Sequence, residues 1–238
     1  MFRGELSAAA EIFGLELNDT QLEAFDKFYR LVVEQNRVMN LTAITEPREF
    51  AIKHIIDSLS AWDEKIFRNA EGLADIGTGA GFPAIPLKIF QPRLKLCLID
   101  SLAKRVNFLQ RVVTELELNG VEVIHGRAED LARQKIFREQ FDIVTSRAVA
   151  RLNVLAEYCL PFVKVGGNFI ALKGKTFREE LDEARAAIKI LGGGAVIVRE
   201  IKLPTLDDSR AVIYVDKKNS TPTKFPRREN LIRTVQLK

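Results

Sequence analysis

Asp75-Ile-Gly-Thr-Gly-Ala-Gly-Phe-Pro-Ala-Ile-Pro86 is the stretch around which the chain is organised. It reads as the end of a strand, a glycine turn and the start of a helix. Gly77, Gly79 and Gly81 stand at alternate positions, where glycine accepts backbone angles other residues resist and lets a ligand approach the main chain. Pro83 and Pro86 suit a helix entry, where a missing N–H costs little. A helix from about Ala84 to Phe90 aims free N–H groups and a positive dipole end back at the turn. A dinucleotide fold asks for G-x-G-x-x-G. Here the pattern is D-x-G-x-G-x-G, and Phe82 fills the place of the third glycine, which disfavours an NAD site. No Gly-Lys-Ser/Thr follows, so a Walker loop is excluded. A glycine turn holding no ligand is the plain alternative.

Working outward, the βα alternation is regular from residue 71 and predicts an α/β fold with a seven-stranded, mostly parallel, doubly wound sheet. Strands are expected at Leu73–Ile76, Leu94–Ile99, Val121–Ile124, Phe141–Thr145, Asn168–Leu172, Ala195–Glu200 and Ala211–Val215. The helix after the second strand would bury Leu102, Val106, Leu109, Val113 and Leu116 on one face. Helices are also expected from about Leu152 to Phe162 and from Arg178 to Leu191, the latter stopped by Gly192-Gly193-Gly194. The loop with Pro204 and Asp207-Asp208 is short enough for an antiparallel closing hairpin. Before the sheet, residues 1–70 are helical in pattern. Thr20 to Glu23 fits a capping box, and a second helix starts near Pro47 with Ile52, Ile55 or Ile56, and Leu59 inward. The expected organisation is an N-terminal helical cap (1–70), an α/β domain (71–217) and a basic, irregular C-terminal tail (218–238).

The 238 residues suffice for one large domain with a small extension. No apolar run reaches about 18 residues and the start lacks a basic-then-apolar pattern, so neither a membrane span nor a signal peptide is expected. Cys97 and Cys159 lie in apolar surroundings and read as buried thiols of a cytoplasmic protein. His54 and His125 are the only histidines and no ligand-spaced cluster contains them, so no metal site is expected. The net charge of +4 is uneven: residues 216–238 carry seven Lys/Arg against Asp216 and Glu229, leaving the remainder at −1. Such a tail suits nucleic-acid phosphates, or is simply a solvated end.

Ligands of an open parallel sheet bind outside the carboxyl ends of its strands. After the second strand comes Asp100, placed to accept ribose hydroxyls or to cap the next helix. After the third comes Gly126-Arg-Ala-Glu-Asp130, where Ala128 and Glu129 would read an adenine edge or simply begin a helix. After the fourth comes Ser146-Arg147-Ala148, with neither an Asn/Asp-Pro-Pro-Tyr/Phe motif nor a nearby Cys. The missing groups suggest an acceptor that is already nucleophilic. A guanine N7 has a free lone pair and no proton to remove, so positioning suffices and no general base is required. Arg147 would fork onto that guanine or steady the cofactor, or else form an ion pair with Asp142 or Glu129. Lys173-Gly-Lys175 offers two cations for phosphates or an ordinary surface pair.

The Asp-led triple glycine resembles the loop that class I methyltransferases wrap around the amino-acid half of S-adenosylmethionine. Asn40-Leu-Thr-Ala-Ile44, His54-Ile-Ile-Asp-Ser-Leu59, the glycine stretch through Lys88, Gly126-Arg-Ala-Glu-Asp130, Ser146-Arg-Ala-Val-Ala150 and Lys173-Gly174 together resemble the RsmG family, also called glucose-inhibited division protein B. The likeness covers about residues 20–230. It implies a class I, Rossmann-like methyltransferase of the bacterial cytoplasm that uses S-adenosyl-L-methionine to methylate N7 of one guanine in a decoding-region loop of 16S ribosomal RNA. The implied cofactor residues are Gly77, Gly79, Gly81, Phe82, Asp100, Ala128, Glu129 and Arg147. Lys173, Lys175, Arg227 and Arg228 are expected on RNA, and a monomer is expected. Two departures stand out. Ala84 replaces a common glycine, and Asn230, Ile232 and Gln236 replace a Gly and two Pro of the family's ending, so no tail conformation carries over. The rival functions are a small-molecule methyltransferase on the same fold and a non-enzymatic RNA-binding module.

Overall fold

The computed structural model describes residues 1–205 and 209–237; the Asp207-Asp208 part of the expected loop and Lys238 lie outside them. Helices α1 (Phe2–Phe13) and α2 (Asp19–Asn36) open the chain. A continuous helical run follows, made of α3 (Pro47–Phe50), a π-helical stretch (Ala51–Ile56) and α4 (Asp57–Leu59), and then α5 (Glu64–Phe67). The body alternates β1 (Gly72–Ile76), α6 (Ala84–Phe90), β2 (Lys95–Asp100), α7 (Ala103–Glu115), β3 (Val121–His125), α8 (Ala128–Leu131) and β4 (Phe141–Arg147). It continues with α9 (Leu152–Cys159), β5 (Val163–Lys173), α10 (Phe177–Ile190), β6 (Gly193–Ile201) and β7 (Arg210–Lys217), and ends in α11 (Glu229–Thr234). The sheet order is β3-β2-β1-β4-β5-β7-β6. β1 to β5 run parallel, and β7 lies antiparallel between β5 and β6. The order reverses between β1 and β4, the switch point at which such sheets open a crevice.

Successive strand residues face opposite sides, so the sheet carries two cores. One face (Leu73, Leu98, Ile143, Ile170) packs against α6, α7 and the N-terminal helices. The other (Ala74, Ile99, Val144, Ile213) packs against α9, α10 and the chain's end, through Phe225 and Ile232. Phe25, Phe28, Phe50 and Phe67 of the cap are fully buried, each contributing about 1.5–3 kcal/mol. Ile52, Ile55, Ile56 and Leu59 are all buried, as their spacing predicts. Trp62 packs at the seam, its ring 4.6 Å from Phe67 and edge-on 5.3 Å from Phe90, and its carbonyl accepts a 2.7 Å bond from Arg199 of β6. Both cysteines are buried free thiols. Among the described residues no helix is long and apolar enough to cross a membrane.

Four local expectations are corrected. The capping box of α2 is Asn18/Gln21, not Thr20/Glu23: Asn18 Oδ1 accepts the Gln21 N–H and Gln21 Oε1 accepts the Asn18 N–H, because Asn18 is the better cap and starts the helix sooner. Leu102 precedes α7 and is half-exposed, while Phe108 and Val112 join Val106 and Leu109 inside. β5 begins at Val163 rather than Asn168. The tail is not irregular throughout: Glu229–Thr234 form α11.

Candidate active site

The carboxyl ends of β1 to β4 converge on the glycine turn. Gly77 (φ +69) and Gly81 (φ +98) occupy the left-handed region. A Cβ on Gly77 would lie 2.5 Å from Val149 Cγ2, and one on Gly81 2.6 Å from Ile85 Cγ1, so both space and backbone angle demand glycine. The Gly79 N–H donates to Asp100 Oδ2 and the Leu102 N–H to Asp100 Oδ1, each at 2.9 Å. Asp100 thus ties the turn to the start of α7 with a carboxylate only 2% exposed; Arg105 Nη1 stands 3.5 Å from Oδ2, and Oδ1 keeps a lone pair for a further donor. Asp75, at the root of the turn, is fully buried. Thr145 Oγ1 donates to its Oδ1 at 2.8 Å, while Oδ2 has no hydrogen-bond partner. Burial pushes this carboxyl up to about 7, against the pull of the nearby hydroxyls and Arg147.

A cleft opens at the switch point, lined by Gly77, Asp100, Ala128, Glu129, Val149 and Tyr158 among others. α8 begins at Ala128, whose N–H has no intrahelical acceptor. Burial raises the Glu129 carboxyl above its ordinary range. Of the expected cofactor residues, Gly77, Asp100, Ala128 and Glu129 meet here. Gly79, Gly81 and Phe82 shape the turn behind the cleft instead of lining it, and Phe82 is buried under the cap, 5.3 Å from Phe28 and 5.8 Å from Phe50.

Arg147 lies in a second, adjoining pocket with Lys53, His54, Asp57, Lys173 and Arg210. Its Nη1 donates to Asp57 Oδ2 at 2.8 Å and to the Lys53 carbonyl at 3.2 Å. Its Nη2 stands 3.2 Å from His54 Nδ1, and the guanidinium lies 4.8 Å over the Phe82 ring. An arginine can only donate, so Nδ1 accepts and the histidine proton is assigned to Nε2, 2.7 Å from Thr42 Oγ1. Burial, Arg147 and Arg210 push the imidazole down to about 3, so it is neutral. The expected Asp142 or Glu129 partner is overturned: Asp142 accepts the Glu71 and Gly72 N–H groups, and the carboxylate on Arg147 is Asp57, which also takes Arg210 at 3.2 Å. Asp57 stands in the His54-Ile-Ile-Asp stretch; only its tertiary placement reveals what it does. Ala148 turns with φ +57, uncommon for a residue with a Cβ. Across this turn Arg147 lines one pocket and Val149 the other.

The expected RNA residues divide. Lys175 and Arg228 are exposed. Lys173 is largely buried, 2.6 Å from Glu180 and 2.8 Å from the Ala150 carbonyl. Arg227 grips Glu157 through Nε and Nη2, the latter at 2.7 Å. Both side chains are committed to internal carboxylates. Cys159 is sealed in, its thiol pushed up by burial. No group of three metal-ligating side chains occurs among the described residues.

With this geometry in place, the sequence model of the GidB family, rRNA small subunit methyltransferase G, matches residues 21–208. The chain belongs to that family. Relatives named ribosomal RNA small subunit methyltransferase G include one from Exiguobacterium sibiricum, 50% identical over 90% of each chain. Another, from a Thermoanaerobacter species, is 49% identical over 95% of each chain. In fold the family member is similar to an O-methyltransferase from Bacillus cereus solved with SAH, at TM-score 0.59 and 16% identity, covering 91% of this chain and 100% of that one. The Rossmann-like methyltransferase architecture is therefore shown. The family match includes the glycine turn, both pockets' strand ends and Asp57, and it stops before the tail.

Proposed function

We propose that this family member transfers a methyl group from S-adenosylmethionine to N7 of one guanine in a decoding-region loop of 16S ribosomal RNA, acting in the cytoplasm. The observation that carries the proposal is the pair of adjoining pockets joined at Ala148. One has the buried Asp100 carboxylate and a helix-start N–H at Ala128; the other gathers Lys53, Arg147 and Arg210 around Asp57. The residues of the first fit the cofactor: Asp100 keeps a lone pair for a ribose hydroxyl, and Ala128 and Glu129 offer a donor and an acceptor to an adenine edge. When bound, that cofactor supplies an electrophilic methyl on a sulfonium.

The acceptor pocket needs only to hold a guanine in line with that methyl. N7 brings its own lone pair, so nothing in the chain has to take a proton before the bond forms. Arg147 is held on three sides by Asp57, His54 and the Lys53 carbonyl, and retains N–H groups for the purine's O6. Neutral His54 has both ring nitrogens occupied and serves as a seat for the arginine. Lys175 and Arg228 remain for phosphates.

Incubation with labelled S-adenosylmethionine and unmethylated small subunits, followed by mapping of the product by mass spectrometry, tests the reading. The expected mark is on one guanine N7 of 16S ribosomal RNA. A mark on an exocyclic amine or a ribose oxygen, or equal turnover of free nucleotides, overturns it.

A further inference from the structure

The cofactor cleft has a wall that the sequence reading put elsewhere. Glu229 and Arg233 of α11 line it together with Asp100, Ala128 and Glu129. Glu229 pairs with Arg127, the residue before Ala128, and with Arg233 at 2.9 Å. Arg127 also stands 3.8 Å from Glu129, so the four charged groups form one chain across the rim. The helix is firmly placed. Ile232 is buried beside α9. Arg138 donates to the Phe225 and Thr221 carbonyls at 2.9 and 2.8 Å, Arg133 to the Pro226 carbonyl, and Arg227 grips Glu157.

We infer that α11 closes the adenosine end of this cleft, with Glu229 and Arg233 as residues that touch the nucleoside. The inference rests on the cofactor reading above and extends it to a part of the chain outside the family match, which ends at residue 208. The chemistry is complementary. A purine edge offers an amine that donates and ring nitrogens that accept; a carboxylate beside a guanidinium offers the reverse.

The test is calorimetric titration of the full-length chain and its point variants with S-adenosylhomocysteine and with 5′-methylthioadenosine, which keeps the nucleoside and lacks the amino acid. Glu229→Gln and Arg233→Ala are each expected to weaken both ligands by about the same factor, roughly tenfold. Asn230→Ala, on the same helix but away from the cleft, is expected to bind like the parent. Unfolding midpoints without ligand confirm that each variant is folded. Unchanged or tighter binding in both cleft variants overturns the wall alone. Failure of the unmodified chain to bind either ligand overturns the cofactor reading and the wall with it.

Discussion

Asp75 holds a carboxyl in full burial with one oxygen unpartnered, and that arrangement has a measurable cost. Its folded pKa, about 7, lies above the ordinary carboxylate value. Between those two values the folded protein keeps a proton that the unfolded chain has released, so stability falls as pH rises through that window, by at most about 4 kcal/mol. His54 acts in the opposite sense. Its proton affinity is depressed in the fold, so stability is lost as pH falls below the ordinary histidine value, where the unfolded chain takes the proton first. The Asp75→Asn chain shares His54 with its parent, so the difference between them isolates Asp75. Denaturant unfolding at pH 5 and pH 8 is expected to show the parent losing relative to the Asn variant at the higher pH; parallel profiles would refute this. At this scale the sequence was informative wherever chemistry is local. The glycines, Asp100 and Ala128 are set by a turn and its adjacent helix starts. Asp57 and Arg147, far apart in sequence, meet only through the packing of the cap.

The π-helical stretch Ala51–Ile56 builds the seat of Arg147. Its wider winding offers the Lys53 carbonyl and the His54 ring to the arginine, with Asp57 at its end; such stretches recur at functional sites. Nothing in the local pattern distinguishes it from an ordinary helix starting at Pro47, because apolar spacing reports a buried face and not the winding. If Asp57 acts through Arg147, the two substitutions are not additive. Arg147→Ala is expected to lower turnover about a hundredfold and Asp57→Asn about tenfold or more, with the double variant no slower than Arg147→Ala alone. Single-turnover rates at saturating cofactor, beside unfolding midpoints, decide the matter. A double variant slower by the product of the two factors would mean independent roles. The strands, by contrast, were legible to within a few residues because βα alternation leaves few topologies.

On the scale of the molecule, the chain's two ends cover opposite faces of one sheet, and charge counting misjudged the second of them. The tail's cations suggested a strip for RNA, yet Arg227 turns inward onto Glu157, a carboxylate 1% exposed. A net charge records how many cations a segment has, not which of them the fold consumes. Arg227→Ala leaves that carboxylate buried without its partner and is expected to cost about 3–5 kcal/mol, read from denaturant unfolding; a loss under about 1 kcal/mol would show the pair to be incidental. The seam between cap and sheet has a different consequence. Trp62 is the chain's single tryptophan, and it stands where the cap, α6 and β6 come together. Should the cap part from the sheet as a large substrate docks, the indole would pass from aromatic surroundings into water, and the colour of its emission would shift. The protein thus carries an unlabelled optical gauge at the joint between its two halves.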